Sequence, residues 1–142
     1  MICISGNTVA GYCLFHHFIG RTILVSGPSM LPTLDEQNNL LGIDCFTHRF
    51  IRNPKKGEVI IAWNPFKPNL TVIKRVKYTE GEMAEFMDLT EGKFRQVKVP
   101  PNHIWVEGDN ASNSRDSRSY GPLSLGLMIG IARFRVWPIN KV

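Results

Sequence analysis

Residues 26–34 read SGPSMLPTL, and this stretch places Ser29 immediately after a short apolar run and a Gly-Pro turn. A second stretch, LTVIKRV at residues 70–76, puts Lys74 inside an apolar, β-branched run that is typical of a strand. A serine hydroxyl becomes a good nucleophile only when a base removes its proton. A lysine serves as that base when burial among apolar side chains lowers its pKa. Together the two stretches predict a Ser/Lys hydrolase.

Short strand-like runs separated by turns follow along the chain. The predicted strands are residues 22–25, 34–46, 58–63, 71–78, 94–99, 103–107 and 129–136, and residues 79–99 are predicted to form an acidic hairpin that turns near residues 91–93. Many short strands at this spacing predict an all-β barrel or sandwich. The chain has 142 residues, which is the length of one domain and is enough to bury a core without disulfide bonds.

Three boxes of the sequence resemble those of the type I signal peptidases, which use a Ser/Lys pair. SMLPTL at residues 29–34 resembles their Ser-Met-x-Pro-Thr-Leu box, and IKRV at residues 73–76 resembles the box of the general-base lysine. GDNASNSRDSR at residues 108–118 is similar to their Gly-Asp-Asn…Ser-x-Asp-Ser-Arg box. The ending RVWP at residues 135–138 looks more like the mitochondrial inner membrane peptidase subunits than the bacterial enzymes. The full third box favours the first of the two catalytic subunits. The resemblance implies a signal-peptidase-like all-β fold.

The resemblance also implies roles for individual residues. Ser29 takes the place of the nucleophile, Lys74 that of the general base, and Ser114 that of the residue that hydrogen-bonds and orients the lysine ammonium. The backbone N–H of Ser29 is the natural first donor to the oxyanion. Some relatives add a hydroxyl donor two residues before the nucleophile, but Gly27 occupies that position here, so the second donor stays open.

The charged residues of the third box predict a scaffold for the site and no exchange of protons with substrate. Asp109 is expected to pair with Arg75 from the lysine strand. The Asp-x-Arg spacing of Asp116 and Arg118 suits an ion pair within the loop.

The implied substrate is an extended segment of a precursor protein that adds as a β-strand to an exposed edge near the site. Met30 and Pro32 flank the nucleophile and are the predicted lining of the pocket for the residue before the cut. The expected partners are precursor proteins with a cleavable signal or sorting peptide, a membrane and a second peptidase subunit. The expected location is the mitochondrial inner membrane, facing the intermembrane space, with the outer face of a bacterial plasma membrane as the alternative.

The first 20 residues are apolar on balance but contain Ser5, Asn7, Thr8 and two histidines. A spanning helix needs about 20 mostly apolar residues, so this stretch is just long enough and rather polar. Because the family implies a single anchor here, residues 1–20 are predicted to be a membrane anchor and residues 21–142 the catalytic domain. A buried N-terminal helix is the alternative.

The charge and the cysteines exclude several classes of protein. The net charge is +5, but the basic residues are scattered and follow no nucleic-acid-binding motif, so attraction to an anionic membrane surface is the better explanation. Cys3, Cys13 and Cys45 show no metal or redox spacing. The sequence therefore predicts no metal, no cofactor and no nucleic-acid partner.

Three other functions compete with this interpretation. A Ser-His-Asp triad would use Ser29 with His103 and either Asp109 or Asp116, but no serine-protease motif surrounds His103. A self-cleaving repressor would need a DNA-binding domain and a linker, and only 28 residues precede Ser29. A non-catalytic subunit that kept the fold is the third alternative, and the intact Ser29, Lys74 and Ser114 speak against it.

Overall fold

The computed structural model describes residues 21–88, 91–138 and 140–141. The predicted anchor, residues 1–20, lies outside the described residues. No helix in the described part of the chain is long and apolar enough to cross a membrane.

The described chain is mostly β, as predicted, with two one-turn α-helices. The strands are β1 (Arg21–Val25), β2 (Asn39–Asp44), β3 (Val59–Trp63), β4 (Thr71–Tyr78), β5 (Met83–Asp88), β6 (Lys93–Lys98), β7 (His103–Glu107), β8 (Leu123–Ser124), β9 (Met128–Trp137) and β10 (Asn140–Lys141), and the helices are α1 (Thr47–Phe50) and α2 (Ser117–Tyr120). Short 3₁₀ turns span Pro28–Met30, Ala111–Asn113 and Leu125–Leu127.

One antiparallel sheet carries most of the strands, in the order β1-β2-β9-β3-β4-β7-β8, with β10 paired to β9. Strands β5 and β6 pair only with each other, as a separate hairpin. Of the two predicted alternatives, barrel or sandwich, a closed barrel is not what the described residues form, since β1 and β8 are the two open ends of the sheet. The acidic hairpin leaves the main sheet because its apolar side chains pack on Trp105, with the Phe86 ring centroid 4.7 Å from that of the indole.

The central strand β3 is buried on both faces, which explains its unbroken apolar sequence. Val59 and Ile61 join one core cluster with residues of β1 and β2, while Ile60 and Ala62 join a second cluster with residues of β7 and β8. Strand β4 pairs with β3 along its first half, in the register Ile60 opposite Lys74. The lysine is therefore held on a strand that the core fixes in place.

Strand β2 begins five residues later than predicted. The polar residues 35–38 form a turn, in which Asn38 has a φ of 60° and the Asn39 side-chain amide donates to the carbonyl of Asp35 at 2.6 Å. These local side-chain bonds compete with strand pairing, and the hydrophobic pattern alone did not reveal them.

Candidate active site

The turn that carries Ser29 connects β1 to the segment before β2. Gly27 has a φ of 128°, a conformation that side chains rarely adopt, and its N–H donates to the carbonyl of Glu36 at 2.7 Å. The 3₁₀ turn follows, and Met30 and Leu34 anchor it in the first core cluster. The hydroxyl of Ser29 is thereby left half-buried at the edge of a cavity.

The amine of Lys74 lies against the hydroxyl of Ser29. The Nζ–Oγ distance is 2.8 Å, and Nζ also donates to the carbonyl of Ile73 at 2.9 Å. Lys74 is only 4% exposed. Two residues that are 45 positions apart in sequence thus share a hydrogen bond at a buried point.

Burial lowers the pKa of Lys74 from its ordinary value. The charge of Asp116 acts in the opposite direction, Arg118 adds to the lowering, and Asp109 opposes it. Because desolvation is the largest of these effects, the neutral amine is favoured more here than on a surface lysine.

Both predicted ion pairs are present. The guanidinium of Arg75 donates to Asp109 through Nε at 2.8 Å and Nη2 at 2.7 Å. Arg118 donates to Asp116 through Nε at 2.9 Å and Nη2 at 2.8 Å, and the Asp116 side chain is fully buried. Burial raises the pKa of each carboxyl, but the hydrogen bonds they accept outweigh it, so both pKa values lie below the ordinary range.

Ser114 makes a different contact from the one expected. Its hydroxyl donates to Asp116 Oδ2 at 2.6 Å, and among the described residues no hydrogen bond joins Ser114 to Lys74. A carboxylate is a stronger acceptor than a neutral oxygen, which accounts for this orientation of the hydroxyl. The serine still lies at the site, because a Cβ built on Gly108 would meet both its Oγ and the carbonyl of Ser29.

A cavity of about 230 Å³ adjoins Ser29 and Lys74. Its lining is Val25, Ser26, Gly27, Ser29, Met30, Leu34, Asp35, Asn39, Thr71, Val72, Ile73 and Lys74. Met30 is part of the lining, as predicted. Pro32 is exposed and does not line the cavity, because the chain leaves the cavity wall after Met30 and returns to it at Leu34.

Comparisons with known proteins identify the family of the chain. Residues 77–137 match the family model described as signal peptidase, peptidase S26. The chain is 39% identical to the mitochondrial inner membrane protease subunit 1 of Xenopus tropicalis over 141 residues, which cover 97% of this chain and 83% of the relative. The chain belongs to the signal peptidase S26 family. It is therefore a peptidase, and the predicted likeness to subunit 1 of the mitochondrial enzyme is confirmed.

Two further similarities were found. The chain is 36% identical to the mitochondrial inner membrane protease subunit 2 of Danio rerio over 120 residues, covering 82% of this chain and 64% of the relative. A signal peptidase I structure from Enterococcus faecalis V583 matches with a TM-score of 0.49 at 21% identity, covering 57% of this chain and 97% of that one.

Two residues of the peptidase have a larger part in the site than the sequence indicated. Asn110 clamps the nucleophile turn: its N–H donates to the carbonyl of Ser29 at 3.0 Å, and its Nδ2 donates to the carbonyl of Pro28 at 3.0 Å. Thr33 donates to Asp109 Oδ2 at 2.6 Å. The sequence predicted neither contact, and both acceptors of Asn110 are backbone carbonyls, which a motif does not specify.

The competing histidine lies elsewhere in the peptidase. His103 Nδ1 lies 2.8 Å from the carbonyl oxygen of Pro101, which accepts a hydrogen bond when Nδ1 carries the proton, and His103 lines a separate cavity with residues 53–56. Asp109 and Asp116 are already occupied by arginines, so neither is placed to orient a histidine. Within the described residues no cluster of His, Cys, Asp and Glu could hold a metal ion.

Proposed function

We propose that the protein is a membrane-associated serine endopeptidase that removes signal or sorting peptides from precursor proteins, with Ser29 as nucleophile and Lys74 as general base. The observation that carries the proposal is the 2.8 Å contact between a buried lysine amine and a serine hydroxyl at the edge of a cavity. A nucleophile and a base within hydrogen-bond reach, with the pKa of the base lowered by burial, are what this chemistry needs.

The reaction takes place in two steps. Neutral Lys74 accepts the hydroxyl proton while Ser29 Oγ attacks the scissile carbonyl, and the resulting ammonium gives that proton to the departing amine as the acyl-enzyme forms. Water then attacks the ester and gives its proton to Lys74, which passes that proton to Ser29 Oγ as the acyl C–O bond breaks, and the second product leaves as a carboxylic acid that ionises to the carboxylate. The first step ends with the Ser29 ester and the second with the free Ser29 hydroxyl, and Lys74 is neutral again after each step.

The oxyanion is stabilised by the backbone N–H of Ser29, which donates to no protein acceptor within the described residues. Asn110 holds this peptide segment from the carbonyl side, so the amide is fixed before the substrate arrives. Ser26 is exposed and lines the same cavity, and its hydroxyl is our candidate for the second donor.

The substrate segment binds to the free edge of β4. Strand β7 pairs with β4 only from Arg75 onward, so within the described chain the β7 side of residues 71–74 has no strand partner. An extended peptide laid along this edge gains backbone hydrogen bonds and passes the cavity beside Ser29. Met30 and Leu34 line that cavity with apolar surface, which suits an uncharged residue before the cut.

The named relatives support the membrane and the second subunit of the proposal, and the orientation within that membrane is part of the proposal itself. Those relatives are subunits 1 and 2 of a mitochondrial inner membrane protease. We accordingly assign this chain to that membrane, with the catalytic domain facing the intermembrane space, and to an assembly with a second peptidase subunit. Residues 1–20 serve as its anchor.

Cleavage of inner-membrane precursors by the purified full chain, with mass spectrometry of the products, tests the proposal. Ser29→Ala and Lys74→Ala should each abolish product, since one removes the nucleophile and the other the base. Ser119→Ala and Lys98→Ala are matched controls on exposed positions and should cleave like the wild type. Full activity in Lys74→Ala, or its loss in His103→Ala, would overturn the assignment in favour of the histidine triad.

A further inference from the structure

A second, smaller cavity adjoins the catalytic one. Its volume is about 50 Å³, and it is lined by Asn64, Phe66, Lys67, Val72, Arg115 and Tyr120. Val72 lines both cavities, so the two spaces adjoin the same residue of β4. Val72 and Lys74 are two residues apart on one strand and share a face, which separates them by roughly 7 Å. An extended peptide bound beside Lys74 therefore reaches the second cavity within about three residues of the scissile bond.

The charged residues that line this cavity are both positive. Lys67 and Arg115 both line it, and neither forms an ion pair within the described chain. The nearest carboxylate in sequence, Asp116, is fully buried and accepts from Arg118, Ser114 and the N–H of Gly108. No acidic residue is among those that line the cavity.

The hydroxyl of Tyr120 is a second, independent feature. Its Oη is buried and has no hydrogen-bond partner among the residues that the structure describes. Burial raises the pKa of Tyr120 well above its ordinary value, so the hydroxyl keeps its proton and is a donor without an acceptor. A buried polar group left unpaired is costly, and such groups are usually satisfied by a ligand or water.

The walls of the cavity are fixed in place. Asn64 Oδ1 accepts from the N–H groups of Phe66 and Lys67 at 2.9 and 3.1 Å, which shapes the turn between β3 and β4. The Phe66 ring meets Tyr120 edge-on at 5.8 Å, and the Arg115 guanidinium lies 5.1 Å from the Phe66 centroid. These two contacts with Phe66 place the Tyr120 hydroxyl and the Arg115 guanidinium around the same cavity.

We propose that this cavity is a substrate subsite that binds a carboxylate side chain, an Asp or Glu of the precursor within three residues of the cut. Arg115 and Lys67 supply the positive charge and Tyr120 Oη supplies a hydrogen bond. The subsite adds a specificity element to the peptidase and rests on the proposed function, since it acts only if the chain cleaves such segments.

A paired peptide series tests the subsite. Peptides spanning a mapped cut site carry a single Asp, or Asn as its uncharged isostere, at each of the three positions on either side of the scissile bond. With the full-length wild type, kcat/KM should be about tenfold higher for Asp than for Asn at one of these positions, the size expected for a charge-assisted hydrogen bond. The preference should appear mainly in KM.

Substitutions then assign the preference to its residues. Arg115→Gln should bring the Asp-to-Asn ratio close to one, and Arg115→Lys should keep most of the wild-type preference. Arg115→Glu should invert the ratio, so that the Asn peptide is cleaved faster than the Asp peptide. Tyr120→Phe should reduce the ratio without loss of thermal stability, because the hydroxyl has no protein partner to lose. Lys98→Gln, which removes an exposed charge on β6, is the matched control and should keep the wild-type ratio.

The outcomes separate this inference from the proposal it rests on. A wild type that cleaves none of the peptides or precursors contradicts the proposed function. A wild type that cleaves them with a ratio of one at every position overturns the subsite alone. So does a preference that survives unchanged in both Arg115→Gln and Tyr120→Phe.

Discussion

Substitution of Gly108 by alanine adds one methyl group where the loop of the third box meets the nucleophile turn. A Cβ built on Gly108 would lie 2.5 Å from the carbonyl oxygen of Ser29 and closer still to Ser114 Oγ. Real Cβ atoms essentially never approach another heavy atom below 3.0 Å, so the turn and the loop must separate by at least about 0.5 Å. The Asn110 clamp on Ser29, at 3.0 Å, opens with them.

The expected loss of rate depends on how far the nucleophile is displaced. Since a misplacement of about 1 Å can cost roughly 100-fold in rate, we expect kcat to fall by about ten- to 100-fold, with KM little changed. Overpacking should also lower the free energy of unfolding by about 1–3 kcal/mol. Steady-state cleavage of a mapped peptide, together with thermal unfolding, measures both quantities.

Gly126→Ala is the matched control. The atom nearest to its added Cβ is Ser124 Oγ at an ordinary 3.5 Å, so both activity and stability should stay near those of the wild type. A Gly108→Ala protein with wild-type kcat would show that the contact between these two segments does not position the nucleophile.

Two further predictions concern charges at the site. Lys74→Met should be inactive, yet at pH 7 at least as stable as the wild type. Burial places the folded-state pKa of Lys74 below its unfolded value of 10.5, so wild-type stability rises with pH across that window. Thermal unfolding from pH 6 to 10 should show the advantage of the variant shrinking, and a difference that stays constant with pH would contradict this. Arg118→Met leaves the buried Asp116 carboxylate unpaired and should cost about 3–5 kcal/mol. The freed negative charge should also raise the pKa of Lys74, moving the acidic limb of the kcat–pH profile to higher pH, and an unmoved limb would exclude this coupling.

Much of the fold was predictable because its strands carry strong local signals. The bounds of β4 and β7 match the prediction, β3 begins one residue later than predicted, and β9 is one residue longer than predicted at each end. The short strand β8 was missed, since two residues are too few to show alternation and its pairing with His103 and Ile104 is set by tertiary contacts. The sequence also did not show whether the sheet closes into a barrel, because closure depends on pairing between strands at its two distant edges.

The site was predictable as a set of residues and only partly as a set of contacts. Motifs indicated Ser29, Lys74 and the two ion pairs, which depend on residue type and spacing. They did not indicate the partner of the Ser114 hydroxyl, since a hydroxyl rotates toward whichever acceptor the fold places closest. The clamp by Asn110 was missed because its target is a backbone carbonyl 82 positions away, and backbone acceptors leave no mark in a sequence.

The two arginine–carboxylate pairs bear on the chemistry because of where their charges lie relative to Lys74. An unpaired carboxylate near a buried amine would hold it protonated, and a protonated lysine cannot act as a base. Here Asp116 and Asp109 each accept two hydrogen bonds from one guanidinium, and burial remains the largest influence on the Lys74 pKa. Asp109 also joins the loop to the nucleophile turn by accepting from Thr33, and Asp116 braces the loop internally by accepting from the N–H of Gly108. The two ion pairs therefore make the loop rigid, and because each carboxylate is paired with an arginine, burial can still lower the pKa of Lys74 enough for it to act as a base.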